Sequence, residues 1–184
     1  GFCFCGVLGD GVLGDGDEYD VCISDTPPSL SYITISALIA ADGVLMPLPP
    51  NALDFASSAQ FWSLFTEVCG GLFKAGGDSK MFSFVDVVLS RVDRADAVSV
   101  AVRQWIGSAY GPHLIPVEIP KTSIAASASA EFGTVYDLEP SSVQAKTLKR
   151  ARDAYEQLVD YVELQVGGVW AHSAQVVSDV MKRS

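Results

Sequence analysis

Asp25 closes the run Tyr19-Asp20-Val21-Cys22-Ile23-Ser24-Asp25, which is mostly apolar up to its last residue and is stopped at once by Thr26-Pro27-Pro28. The pattern predicts a short strand with a carboxylate at its C-terminal end. In an open parallel sheet, ligands bind beyond the carboxyl ends of the strands. A carboxylate placed there can hold Mg²⁺, directly or through water. Pro27-Pro28 could equally do no more than terminate the strand.

Other residues with chemical potential read more plainly. The four cysteines, Cys3, Cys5, Cys22 and Cys69, are too few and too irregularly spaced for a disulfide framework, so they read as free thiols. Cys3-Phe4-Cys5 could be half of a metal site, yet no second Cys/His pair stands at ligand spacing. Val7-Leu8-Gly9-Asp10-Gly11 is repeated as Val12-Leu13-Gly14-Asp15-Gly16, a pattern of tight turns without the alternating oxygens and closing Glu of a calcium loop. Lys74-Ala75-Gly76-Gly77-Asp78-Ser79-Lys80 superficially resembles a phosphate loop. It follows a helix and leads into a strand, the reverse of what such a loop needs, and reads as a helix end with a turn. His113 and His172 are isolated and support no catalytic role.

These residues need a scaffold, and the chain alternates accordingly. Ser29 to Ala41 reads as a helix, Val44 to Leu48 as a strand closed by Pro49-Pro50, and Asp54 to Cys69 as a helix with Phe55, Ala59, Trp62, Phe65 and Val68 on its apolar face. Phe82 to Leu89 is a strand, Ala95 to Ser108 a helix and Leu114 to Ile119 a strand. A capping box at Ser141-Ser142-Val143-Gln144 opens a last helix striped by Leu148, Ala151, Tyr155, Leu158 and Val162. The expected fold is α/β: a mostly parallel sheet flanked by helices. Residues 1–18 are a Gly/Asp-rich lead-in, 19–166 the body and 167–184 an amphipathic tail.

Length and charge bound the function. The chain has 184 residues, 49% hydrophobic and 18% charged, enough for one compact core. A net charge of −10 argues against a protein whose whole surface coats nucleic acid or an anionic membrane. All 12 basic residues lie from Lys74 onward, so any basic patch belongs to the C-terminal portion. Lys146, Lys149, Arg150 and Arg152 cluster on the last helix, opposite its apolar stripe; a solvated helix face explains them as well as a binding surface does. The longest apolar stretches, such as Ile33 to Ala41, are well short of the ~20 residues that span a bilayer.

The string from Tyr19 to Leu30, followed by Thr34, Ala37-Leu38 and Ala40-Ala41-Asp42, closely resembles the segment around the second carboxylate motif of the ParA partition ATPases. Val44-Leu45-Met46-Pro47-Leu48-Pro49-Pro50, then Leu53-Asp54-Phe55-Ala56-Ser57, is similar to the next strand and helix of the plasmid-type branch. The likeness continues more loosely to about Val166. It implies a P-loop NTPase-like fold in which Asp25 is the Walker B-type carboxylate near Mg²⁺ and the attacking water. Thr26, Pro27 and Pro28 would be the switch segment that senses the γ-phosphate. Leu89-Ser90-Arg91-Val92-Asp93 occupies the strand end that in the family approaches the nucleotide base. Ile119-Pro120-Lys121, running on to Glu131-Phe132-Gly133, is similar to the loop that cradles adenine, although its usual acidic residue is missing around Ala125 to Ala128. Without the resemblance, Asp93 could equally cap the following helix and Pro120 shape a connection.

The family's phosphate-binding loop, a Gly-rich turn with two lysines before a hydroxyl residue, has no counterpart upstream of Asp25 in the sequence. Such a loop carries the β- and γ-phosphates. Its strand lies beside the one ending at Asp25, so the expectation is a C-terminal part of a longer ATPase, inactive alone. A phosphate loop built from residues 1–18 would refute it. The resemblance further implies ATP and Mg²⁺ as ligands, a homodimer formed on ATP, non-specific DNA binding with Lys146 to Arg152 as candidate contacts, a ParB-like centromere-binding partner, and a cytoplasmic, nucleoid-associated bacterial protein. Two other readings stand beside it. One is a truncated, non-hydrolysing paralogue serving as an interaction module. The other is a MinD-like membrane-surface ATPase, using the stripe Val169-Trp170-Ala171, Ala174, Val177 and Val180-Met181 before Lys182-Arg183; a tail packed on the core or on a partner is the stronger expectation for that short, weakly basic segment.

Overall fold

The computed structural model describes residues 21–27, 29, 31–74, 82–140 and 144–181. The lead-in, Pro28, most of the expected capping box and the turn after Lys74 lie outside them, as do the side chains of the stripe from Val169. The chain forms two compact units, Gly1–Val44 with Ala56–Phe82 and Leu45–Phe55 with Ser83–Ser184.

In the first unit, helix α1 (Tyr32–Ala40) begins where the Ser31 hydroxyl accepts the Thr34 N–H at 3.3 Å, a side-chain N-cap. Thr34 is buried and donates its own hydroxyl to the Ser29 carbonyl at 2.6 Å, which fixes the approach to the helix. Helix α2 (Ala52–Lys74) runs further at both ends than its apolar pattern predicts. Asn51 caps it by accepting the Asp54 N–H at 2.9 Å. Its apolar face is aromatic: Phe65 is buried, with Phe61, Trp62 and Phe82 packed around its ring at centroid distances of 5.9, 5.3 and 5.6 Å.

One expectation fails in this unit. Residues 21–27 form no strand, and Ile23 is 87% exposed. An apolar run becomes a strand only where a neighbour takes its N–H and C=O groups, and among the described residues none does so.

The three-stranded parallel sheet has the order β1-β2-β3, with β1 Gly43–Leu48, β2 Phe84–Val92 and β3 Leu114–Pro120. Within this sheet β1 is an edge strand, which is where Pro47 can sit without removing an interior ladder bond. β2 and β3 run parallel, pairing Val87 with Leu114, Leu89 with Glu118 and Val92 with Pro120. From Leu89 to Val92 the second strand uses one more residue than its partner, and Arg91 takes φ +52 in this bulge. Between the two strands runs helix α3 (Ala97–Tyr110), capped by Asp96, not Asp93: its carboxylate accepts the N–H groups of Val98 and Ser99. Gly111 closes α3 at φ +52, a conformation that disfavours side chains, and a short 3₁₀ turn (Gly111–His113) leads into β3.

After β3 comes helix α4 (Ser123–Ala130), where the resemblance implied a continuous loop. Ala and Ser supply adequate helix propensity, and Ile124 and Ala128, four apart, bury the same face. α4 ends in a Schellman motif: Gly133 N–H reaches the Ala128 carbonyl at 2.9 Å and Phe132 N–H the Ser129 carbonyl at 3.1 Å. Phe132, not Gly133, takes the left-handed position at φ +56, with its ring fully exposed.

The last helix, α5 (Ala145–Met181), is continuous across the expected boundary at 166. It supplies the residues that bind the second unit together. Leu148 and Ala151 pack with Ile124, Ala128, Val135 and Leu138. Ala154 packs on Val88, Ile115, Val117 and Ile119 of the sheet, with Tyr155, Leu158 and Tyr161 alongside. Leu148, Ala151, Tyr155 and Leu158 of the predicted stripe therefore belong to the packed face, to which the structure adds Ala154 and Tyr161. The Tyr161 hydroxyl donates to the buried Asp86 carboxylate at 2.8 Å. Burial, then that hydrogen bond and the charge of Asp86, push the phenol up to about 12.

Candidate functional site

A cleft of about 480 Å³ opens at the carboxyl ends of β2 and β3, a size within the range of small-molecule sites. The sheet side contributes Val92, Asp93, Arg94, Ala95, Glu118, Pro120 and Lys121, and α5 contributes Arg150, Asp153, Ala154 and Gln157. The position follows from topology: Val92 and Pro120 are paired, and the Lys121 N–H continues the ladder onto the Val92 carbonyl at 3.0 Å. The two strand ends are thereby locked side by side.

The charges on the sheet side are partnered. Lys121 Nζ lies 3.6 Å from Asp93 Oδ2, while Asp93 Oδ1 accepts the Ala95 N–H at 3.1 Å and shapes the turn after β2. Glu118 receives Arg94 at 3.1 Å and, on its other oxygen, Arg103 from α3. The cleft floor is a lattice of alternating charges that offers both donors and acceptors to a polar ligand.

Of the residues singled out in the sequence, Asp93, Pro120 and Lys121 thus come together. Arg91 does not line the cleft; its bulge precedes the turn that carries Asp93. Asp25 and Thr26 belong to the first unit, Asp25 exposed and Thr26 half-buried. An exposed carboxylate suits Mg²⁺, which keeps several waters and takes few protein oxygens. Asp25 would hold the ion in that way. The cleft, with donors and acceptors at strand ends, suits the base and ribose of a nucleotide.

The basic cluster on α5 separates into distinct environments. Lys146 is exposed. Lys149 Nζ pairs with Asp153 at 3.3 Å, one turn along the helix. Arg150 lines the cleft. Arg152 turns to the loop after α4, donating from Nε to the Val135 carbonyl at 3.0 Å and from one terminal nitrogen to the Tyr136 and Leu138 carbonyls at 2.9 and 2.8 Å. The same loop is held from within by Asp137, whose carboxylate accepts the Thr134 N–H and hydroxyl, each at 2.7 Å. Those two donors, backbone first, hold the Asp137 carboxyl below the usual range; burial opposes them, and the nearby Arg152 charge adds a lesser contribution in their favour.

Sequence reasoning missed Arg94, Glu118, Asp153 and Gln157. The spacing 150, 153, 154, 157 was a usable signal, since i, i+3, i+4, i+7 is one face of a helix. Nothing in the string said that this face meets a strand end about thirty residues upstream.

Strands joined through helices, with a polar cleft at their carboxyl ends, define an α/β fold, of which the described residues contain three strands. A solved structure of a partition protein shares this fold, at a TM-score of 0.55 and 19% identity over 78% of this chain and 35% of that one. The family model of the AAA domain matches residues 15–71. A Rhizobium rhizogenes protein described as a replication protein A is 26% identical over 91% of this chain and 41% of its own length. The chromosome partitioning protein ParA of Caulobacter vibrioides is 29% identical over 73% of this chain and 49% of its own length. The plasmid partition protein A of Escherichia coli is 25% identical over 79% and 36%. The chain is thus similar to partition proteins of the ParA type in sequence and in fold. It spans less than half the length of these relatives. Among the described residues, no helix is long and apolar enough to cross a membrane.

Proposed function

We propose that this chain is the base-binding and DNA-facing part of a ParA-type ATPase that segregates plasmid or chromosomal DNA. In this reading ATP and Mg²⁺ drive formation of a homodimer that binds DNA without sequence preference in the bacterial cytoplasm, at the nucleoid. A ParB-like centromere-binding partner stimulates hydrolysis and release. Asp25 holds the Mg²⁺ side, Thr26, Pro27 and Pro28 form the switch segment, and Arg91, Asp93, Pro120 and Lys121 serve the base. Lys146 and Lys149 are the outward DNA contacts and Arg150 borders both surfaces. Arg152 contributes by holding the loop in place.

The observation that supports this most is the cleft itself: residues 93, 120 and 121, chosen by family likeness, line one polar recess at two paired strand ends. Titrating the 184-residue chain with ADP and Mg²⁺ while following backbone amide resonances tests it. Shifts that include residues 91–95 and 118–122 are expected. No shift in these segments at millimolar nucleotide would count against the base site.

A further inference from the structure

Five ionised groups line the cleft with partners already at hand: Asp93 with Lys121, Glu118 with Arg94, and Asp153 with Lys149 from outside the cleft. Two polar side chains do not share in this. Arg150 and Gln157, both on α5 and both exposed, make no hydrogen bond or ion pair among the described residues. They stand seven apart, two turns on one helix face, with Ala154 between them. Ala154 is buried against the sheet cluster, so it sets the helix close to the strand ends and leaves a low, small-residue saddle between two free polar arms.

The chemistry of the two arms is complementary to a purine nucleoside. A guanidinium is planar and stacks on an aromatic face. A carboxamide offers a donor and an acceptor side by side, which matches the adjacent amino group and ring nitrogen of adenine. We infer that α5 forms a wall of the nucleotide cleft, Arg150 stacking on the base and Gln157 reading its edge. The inference rests on the base-site reading above and extends it to residues outside the segments that carried the family likeness at that site. It also removes Arg150 from the DNA contacts and makes it a ligand-binding residue.

The test is binding of adenosine and guanosine, without phosphates, to the full 184-residue chain by NMR titration. Compared are the wild type, Arg150→Ala, Gln157→Leu, Gln157→Glu, Asp93→Ala and a control, Glu156→Gln, whose residue is on α5 but does not line the cleft, with far-UV circular dichroism confirming each fold. Arg150→Ala and both Gln157 variants are expected to weaken adenosine about tenfold, a change of about 1.4 kcal/mol. The Gln157 variants should also lower the adenosine-to-guanosine preference, which a merely structural role would leave alone. If Asp93→Ala weakens adenosine while Arg150 and Gln157 variants do not, the α5 wall is refuted and the base site stands. If wild-type chain binds neither nucleoside, the base-site reading fails, and the wall with it.

Discussion

Arg152 gives three charge-assisted hydrogen bonds to carbonyls that end an otherwise irregular loop. Net contributions of hydrogen bonds to charged groups run to about 1.5–3 kcal/mol, and they are not additive. Arg152→Ala should therefore lower unfolding stability by roughly 2–3 kcal/mol in urea titrations, and Arg152→Lys should recover little, because one ammonium cannot reproduce the planar fork. Full recovery by lysine would reduce the residue to its charge. Tyr161 makes a pH-dependent prediction. Its phenol sits at about 12 when folded and near 10 when unfolded, so the neutral form stabilises the fold. That contribution is complete below about pH 10 and disappears as pH rises toward about 12. Wild-type stability should fall more steeply across this window than that of Tyr161→Phe, which should itself be less stable at neutral pH by about 1–3 kcal/mol, with Asp86 left short of a donor. Parallel profiles would show that the Asp86 contact carries no such linkage.

Among the elements, the α4 terminus holds a bulky side chain where glycine is usual. Phe132 at φ +56 bears a cost of about 1–2 kcal/mol for the left-handed conformation, and its exposed ring recovers nothing by burial. Phe132→Gly should raise stability by roughly 0.5–1 kcal/mol, less than the full cost because glycine loses more freedom on folding. A loss in thermal denaturation would mean that the ring has a packing role. This terminus also shows what a sequence makes legible. α2, α3 and α5 were readable from their period of 3.6, β3 from alternation, and β1 and β2 as short apolar runs. α4 was obscured because Ala and Ser give almost no apolar contrast along the turns. The strand expected up to Asp25 was misread for the opposite reason: its local pattern is strong, but strand formation depends on a neighbour elsewhere in the chain. Asp93, Pro120 and Lys121 were legible only through family likeness, whereas Arg94, Glu118 and Gln157 required knowledge of which strand ends and helix face meet.

Across the whole molecule, the charge asymmetry becomes a spatial argument once α5 is placed. The chain carries −10 overall, so it would be repelled by DNA unless its few cations are concentrated and free to move. Arg94, Arg103, Lys121 and Arg152 are all engaged within the second unit, with carboxylates or carbonyls. Lys146 is exposed, and Lys149 is held only by an exposed pair to Asp153, an interaction worth about 0–1 kcal/mol and screened by salt. A phosphate can displace such a partner, because releasing condensed counterions from DNA favours the exchange. Binding of a fluorescent duplex to the chain should therefore weaken steeply between about 50 and 200 mM salt. Neutralising Lys146 and Lys149 together should reduce the slope of log affinity against log salt by about 2, near one unit for each phosphate that is no longer neutralised, and equally for unrelated sequences. An unchanged slope would assign these lysines to a solvated helix face, and would leave the acidic body of the protein without a described surface on which DNA could settle.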